Sequence, residues 1–243
     1  MKSSNPVFSR IERDNVYTDT AGATFGGITI KTGLMFLVAV LSGFFAFNLL
    51  LTNPEALVII LPVSVIVGFI SSLIGIMSVR LSAPFALLYA ACEGVLLGTL
   101  TTLLDSVYPG IGISAIGATI ILFGVMLLLY ATRVIQVTNR FRKVMFASLI
   151  TMLLVVVFNS LLSLMGINLF TAVPDGLVIG ITIFLIIYGA LMLTLDFDRA
   201  EFIVSAGADK RMEWQVSLGL MITIVWIYVY MIRLFAILAS RRD

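Results

Sequence analysis

Residues 176–195 read GLVIGITIFLIIYGALMLTL, twenty positions without a charged side chain. In a helix, about twenty residues rise about 30 Å, the thickness of a bilayer's hydrocarbon core. A membrane-spanning strand would be about ten residues long and would alternate apolar with polar. Neither this stretch nor LITMLLVVVF at 149–158 alternates, so a helix that closes its own hydrogen bonds is the expected structure.

Six further stretches of this kind flank it. The expected spans are 33–51, 57–79, 83–104, 111–131, 144–166, 176–195 and 217–239, an all-α polytopic membrane protein with seven transmembrane helices. An amino-terminal arm, 1–32, precedes a single membrane domain, 33–243. With 60% apolar and only 12% charged residues, water is not the main solvent of this chain. Lys2, Arg10, Glu12, Arg13, Asp14 and Asp19 all come before the first apolar run, which argues against a cleavable leader.

The basic residues of the arm and of the connections after spans two, four and six all fall on one side of the membrane. They include Lys31, Arg80, Arg133, Arg140, Arg142, Lys143, Arg199, Lys210 and Arg211, whereas the loops after spans one, three and five contain no Lys or Arg. The positive-inside rule places that side, with the amino terminus, in the cytoplasm and the carboxyl terminus outside. The opposite loops are short turns, Thr52-Asn53-Pro54, Tyr108-Pro109-Gly110 and Pro174-Asp175-Gly176, with no room for an outer domain. The longest polar connection, 196–214, is expected to lie as an interfacial helix with Trp214 at headgroup level. Gly94/Gly98 and Gly176/Gly180 are GxxxG pairs, read first as packing faces within the bundle and second as dimer contacts. Cys92, the lone cysteine, reads as a small buried side chain.

The chain has no histidine, which removes HExxH zinc sites, Ser-His and Cys-His nucleophiles and imidazole shuttles. Gly110-Ile111-Gly112-Ile113-Ser114-Ala115 matches a dinucleotide pattern only formally, because it opens a membrane span. No enzyme activity and no cofactor are expected. A net charge of +2 without an aromatic-interleaved basic groove gives no nucleic-acid partner.

Charge inside the apolar segments is what remains. Glu93 sits near the middle of the third span, too deep for a short side chain to snorkel, where a carboxylate costs about 2.5–3.5 kcal/mol to insert. It is either a protonated acid bonded to a neighbouring helix or part of an ion or proton pathway. Asp196 and Asp198 follow span six, where carboxylates at a pore mouth attract cations or close against Arg199, Arg80 or Arg140; a solvated helix end is the plainer reading of Asp198. Arg80 and Arg233 lie near enough to helix ends to snorkel, Asn48 and Asn159 are expected to bond between helices, and Asp105 to cap a turn.

Four stretches carry a family likeness: SSNPVFSRIER (3–13), YAACEGVLLG (89–98), VTNRFRKV (137–144) and LDFDRAEFIVSAGADKRMEW (195–214). In this order and over nearly the whole chain, they resemble the bacterial branch of the Bax inhibitor-1-like family. The resemblance implies six helices around a central seventh, a bacterial plasma-membrane location and, in some members, a pH-sensitive calcium leak. It also implies two aspartates sharing a proton, one near the end of span six and one in span seven, with an arginine nearby.

Asp196 matches the first aspartate. Span seven, SLGLMITIVWIYVYMIRLFAILA, has no acid, and Tyr230 stands where related sequences carry one. A single carboxylate with Tyr230 as partner cannot titrate as a dyad and should hold calcium weakly. Glu93 and Asp196 are thus expected as weak, transient calcium ligands, with Asp198, Arg80 and Tyr230 completing the gate. The expected partners are the lipid bilayer, Ca2+ or another cation and, in an alternative reading, a membrane protease or stress-response protein regulated without conduction.

Overall fold

A computed structural model of the chain describes residues 22–165 and 174–241. The arm before residue 22, with its 3–13 stretch, and Arg242 lie outside the described residues. The described residues form seven helices and no strand: α1 Phe25–Thr52, α2 Pro54–Met77, α3 Ser82–Val107, α4 Ile111–Ala131, α5 Asn139–Leu164, α6 Asp175–Ser205 and α7 Met212–Ala239. Each is long and apolar enough to cross a membrane.

Local chemistry sets the helix ends. The Thr24 hydroxyl accepts from the Gly27 amide at 2.9 Å and starts α1 about two turns before the expected 33. Lys31, assigned above to the arm, therefore lies inside a helix. Pro54 in the first turn of α2 needs no amide partner, so α1 and α2 meet at Asn53 alone. Asp105 Oδ1 accepts from the amides of Gly110 (3.0 Å) and Gly112 (3.2 Å), capping the turn into α4 as expected. Gly110 turns there at φ 85°, a conformation that favours glycine.

The expectation of an interfacial helix over 196–214 is overturned. α6 runs on unbroken to Ser205, and only residues 206–211 separate it from α7. The apolar period continues past Leu193 at Phe197, Ala200 and Ile203, all buried, so the charges between them occupy the other faces of the same helix. Trp214, in the first turn of α7, packs against the buried cluster that holds Met35 and Leu218.

α7 is the axis of the bundle, with most of its length buried, and α1, α2, α3, α4 and α6 pack directly on it. α5 is attached from outside, on α6. The Tyr188 hydroxyl donates to the Met145 carbonyl at 2.8 Å, and Met145 is the one buried residue of α5.

α1 and α3 make the closest approach. A Cβ on Gly98 would lie 2.5 Å from Gly43 Cα, so this GxxxG pair lets two backbones touch within the bundle, the first of the two readings above. Gly176 and Gly180 of α6 meet nothing within reach of a Cβ. Cys92 is buried and free. Asn48 bonds the Phe44 carbonyl of its own helix (2.9 Å), not a neighbour, and Asn159 Oδ1 is buried without a hydrogen-bond partner among the described residues.

Candidate functional site

The basic end of the bundle, where the α2–α3, α4–α5 and α6–α7 connections gather, holds most of the polar side-chain contacts between helices. Asp196 is central to it. On the last third of α6 it turns inward, and Thr223 of α7 donates a hydrogen bond to its Oδ2 at 2.6 Å. One turn earlier on α7, Gly219 faces the carboxylate: a Cβ there would stand in ordinary contact with Oδ1, at 3.5 Å. A partly open cavity of about 80 Å³ lies at this point, lined by Ile76, Asp196, Arg199, Gln215, Val216 and Gly219. Arg199 is the cation that Asp196 feels there, without a direct ion pair. Gln215 is held to the wall by its amide, which donates to the Ile76 carbonyl at 2.9 Å.

The other expected site residues go elsewhere. Tyr230 lies seven residues beyond Thr223, two helical turns or about 10 Å along α7, and packs against Trp226. It is therefore Thr223, not Tyr230, whose hydroxyl meets Asp196. Asp198 is about 200° around α6 from Asp196 and pairs with Arg142 of α5 at 2.6 Å. Arg80 is exposed in the turn after α2 and makes no ion pair among the described residues. Glu93 lies on α3, with Tyr89 one turn earlier on the same helix, and does not line the Asp196 cavity. The structure thus joins Asp196 and Arg199 across one cavity and leaves Glu93, Asp198, Arg80 and Tyr230 apart from it.

Two clusters escaped the sequence reading. Glu201, one turn beyond Phe197, accepts from the Tyr130 hydroxyl and from Arg133, each at 2.5 Å. Arg133 adopts φ 59°, a left-handed conformation usually left to glycine, and also stacks over Tyr130 at 5.7 Å. The hydrogen bond to Glu201 raises the proton affinity of this guanidinium further. With Arg142–Asp198, this pair fastens both ends of the α4–α5 connection to α6.

The second cluster closes the start of α7. Glu213, its carboxylate fully buried, receives Lys31 of α1 and the Thr24 amide (2.8 Å) and hydroxyl (3.3 Å). Lys31 also donates to the Lys210 carbonyl at 3.0 Å and lies 5.4 Å from the Trp214 ring centre. Gly27 is held so close to the Glu213 carboxylate that no Cβ fits. The signal that could have found the pair is chemical: both residues sit where apolar patterning begins, and one is a cation and the other an anion.

A family model described as Bax inhibitor 1 like matches residues 5–240. No curated protein matches the chain. The chain belongs to the Bax inhibitor 1 like family.

Proposed function

We propose that this Bax inhibitor 1 like membrane protein is a passive cation pathway with calcium as its cargo and Asp196 as its gate. The observation that carries the reading is a carboxylate turned into an internal cavity at the basic end, beside a guanidinium. A cavity of this size has room for water, and a moving cation needs oxygens in place of the water it sheds. Asp196 offers the charge, and Gln215 and Thr223 offer neutral oxygens. Among the described residues no three acidic, histidine or cysteine side chains gather around one point. Calcium takes six to eight oxygens, so it would keep most of its water here and bind briefly, as suits a leak more than a store. Arg199 repels a cation from the same cavity, so opening requires its side chain to swing away from Asp196.

Glu93 supplies the second carboxylate of the pathway, deeper in the membrane on α3. Arg80, one turn past the cavity-lining Ile76, serves as a second guanidinium at the mouth, and Asp198 holds α5 in place. Tyr230, two turns along α7 from Thr223, lies in the direction of the opposite mouth. The basic end faces the cytoplasm of a bacterial cell, the carboxyl terminus lies outside, and the protein catalyses no reaction. The alternative, a non-conducting partner of a membrane protease or stress protein, is favoured by the outward position of α5, whose long apolar face is left uncovered by the described residues.

Calcium flux into liposomes carrying purified wild type, Glu93→Gln, Asp196→Asn or Thr223→Val, at pH 6 and pH 8, separates the two. A leak in wild type that changes in Asp196→Asn, with any pH difference abolished in that variant, is the expected result. Thr223→Val, which removes the hydroxyl but not the charge, should shift the leak in a pH-dependent way. Four preparations equally tight at both pH values would exclude conduction and leave the partner reading.

A further inference from the structure

α5 begins with a sequence that is electrostatically wrong for a helix standing alone. The amino-terminal end of a helix carries partial positive charge and favours acids. The first turn of α5 has no acid, and Arg140, Arg142 and Lys143 are there instead. Among the described residues, the carboxylate brought to them is Asp198, on Arg142. Arg140 and Lys143 form no ion pair among the described residues. Among the described residues this end of the helix therefore has an excess of positive charge that a further anion would balance.

The same helix carries an open groove of about 480 Å³ lined by Asn139, Arg142, Lys143, Phe146, Ala147 and Ile150. These positions follow the spacing of a straight stripe along one face, about 16 Å from end to end. The polar side chains occupy the first turn and the apolar ones the next two. Ala147, small between Phe146 and Ile150, makes the hollow. Phe146 and Ile150 are more than half exposed, so nothing else in the described chain covers them. Arg142 spends one nitrogen on Asp198 and keeps other donors for a second partner.

We propose that this face is a binding site for one anionic phospholipid of the surrounding leaflet. Its phosphate sits between Arg142 and Lys143, and its first acyl segment lies along Ala147 between Phe146 and Ile150. Charge at the headgroup level with an apolar slot directly beneath it is the chemistry of a lipid; a soluble anion would have no use for the slot, and a partner helix would bury no cation there. Because Arg142 and Asp198 join this face to α6, two residues from Asp196, a bound lipid would bear on the position of α5 against α6.

The test uses the purified full chain in detergent, titrated with phosphatidylglycerol or phosphatidylcholine and read by native mass spectrometry. Wild type should retain phosphatidylglycerol in preference. Lys143→Gln should weaken that retention about fivefold, the worth of one juxtamembrane cation. Ala147→Trp, which fills the slot and leaves every charge in place, should weaken it too. Equal retention of the two lipids by wild type, or an Ala147→Trp variant that binds like wild type, would overturn the proposal. So would full displacement of phosphatidylglycerol by millimolar inorganic phosphate, which would mark an anion site without a lipid slot.

Discussion

Lys31→Met should be among the most damaging single substitutions in this protein, lowering its stability by about 3–5 kcal/mol, because it strands a buried carboxylate. The Glu213 side chain has no exposed surface, whereas that of Lys31 keeps 14%. Without the ammonium, Glu213 retains only the Thr24 amide and hydroxyl as donors among the described residues. Glu213→Gln should cost less, about 1–3 kcal/mol, because an amide can still accept from Thr24 and the freed lysine can reach toward water. Lys31→Met combined with Glu213→Gln should then be milder than the sum of the two, the sign that the pair acts as a unit. Thermal unfolding in detergent, followed by a thiol-reactive dye, reads all three, since Cys92 is the lone cysteine and is buried. Wild-type unfolding in Lys31→Met would show that the contact contributes nothing.

Gly98→Val should disrupt the bundle on a similar scale by a different route. The Cβ alone would stand 2.5 Å from Gly43 Cα and 2.6 Å from its carbonyl oxygen, and backbone cannot turn aside as a side chain can. At Gly94 a Cβ would meet the Ala39 carbonyl and the Ser42 hydroxyl with still less room. Adding bulk to a packed interior costs about 1–3 kcal/mol where side chains can adjust, so a backbone clash on α1 should exceed about 3 kcal/mol. Gly180→Val is the control: the same sequence pattern on α6 faces open space, and the variant should unfold with wild type in the same dye assay. Equal tolerance at Gly98 and Gly180 would mean that α1 and α3 are not in backbone contact.

This difference between two identical patterns shows where reading the chain stops being sufficient. GxxxG states that small residues share a face, but not which helix arrives there. Asp196 could be singled out in the sequence because charge at the end of an apolar run is costly. Its partner could not be, since Thr223 is 27 positions away and is one of several hydroxyls on the spans. Tyr230 aligns with an acid in related sequences, but helical geometry puts it two turns beyond Thr223. Asp198 is two residues from Asp196 in sequence, but the pitch of α6 turns it toward Arg142. The charges of 196–214 suggest an interfacial segment, but the buried period of Phe197, Ala200 and Ile203 keeps its first half in α6.

Seven membrane helices, their approximate limits, the gathering of basic residues at one end, the lack of imidazole chemistry and, through motifs spread along the chain, the family are all legible in the residues alone. These follow from transfer free energy and chain length, which each segment carries alone. Only the tertiary structure decided that α7 is the axis and α5 an outer attachment, that Asp196 shares a cavity with Arg199 but not with Glu93, and that Lys31 and Glu213 close the bundle. Those are relations between residues far apart in the chain, and they depend on which faces meet when the helices pack, a choice that hydrophobicity, being without direction, does not make.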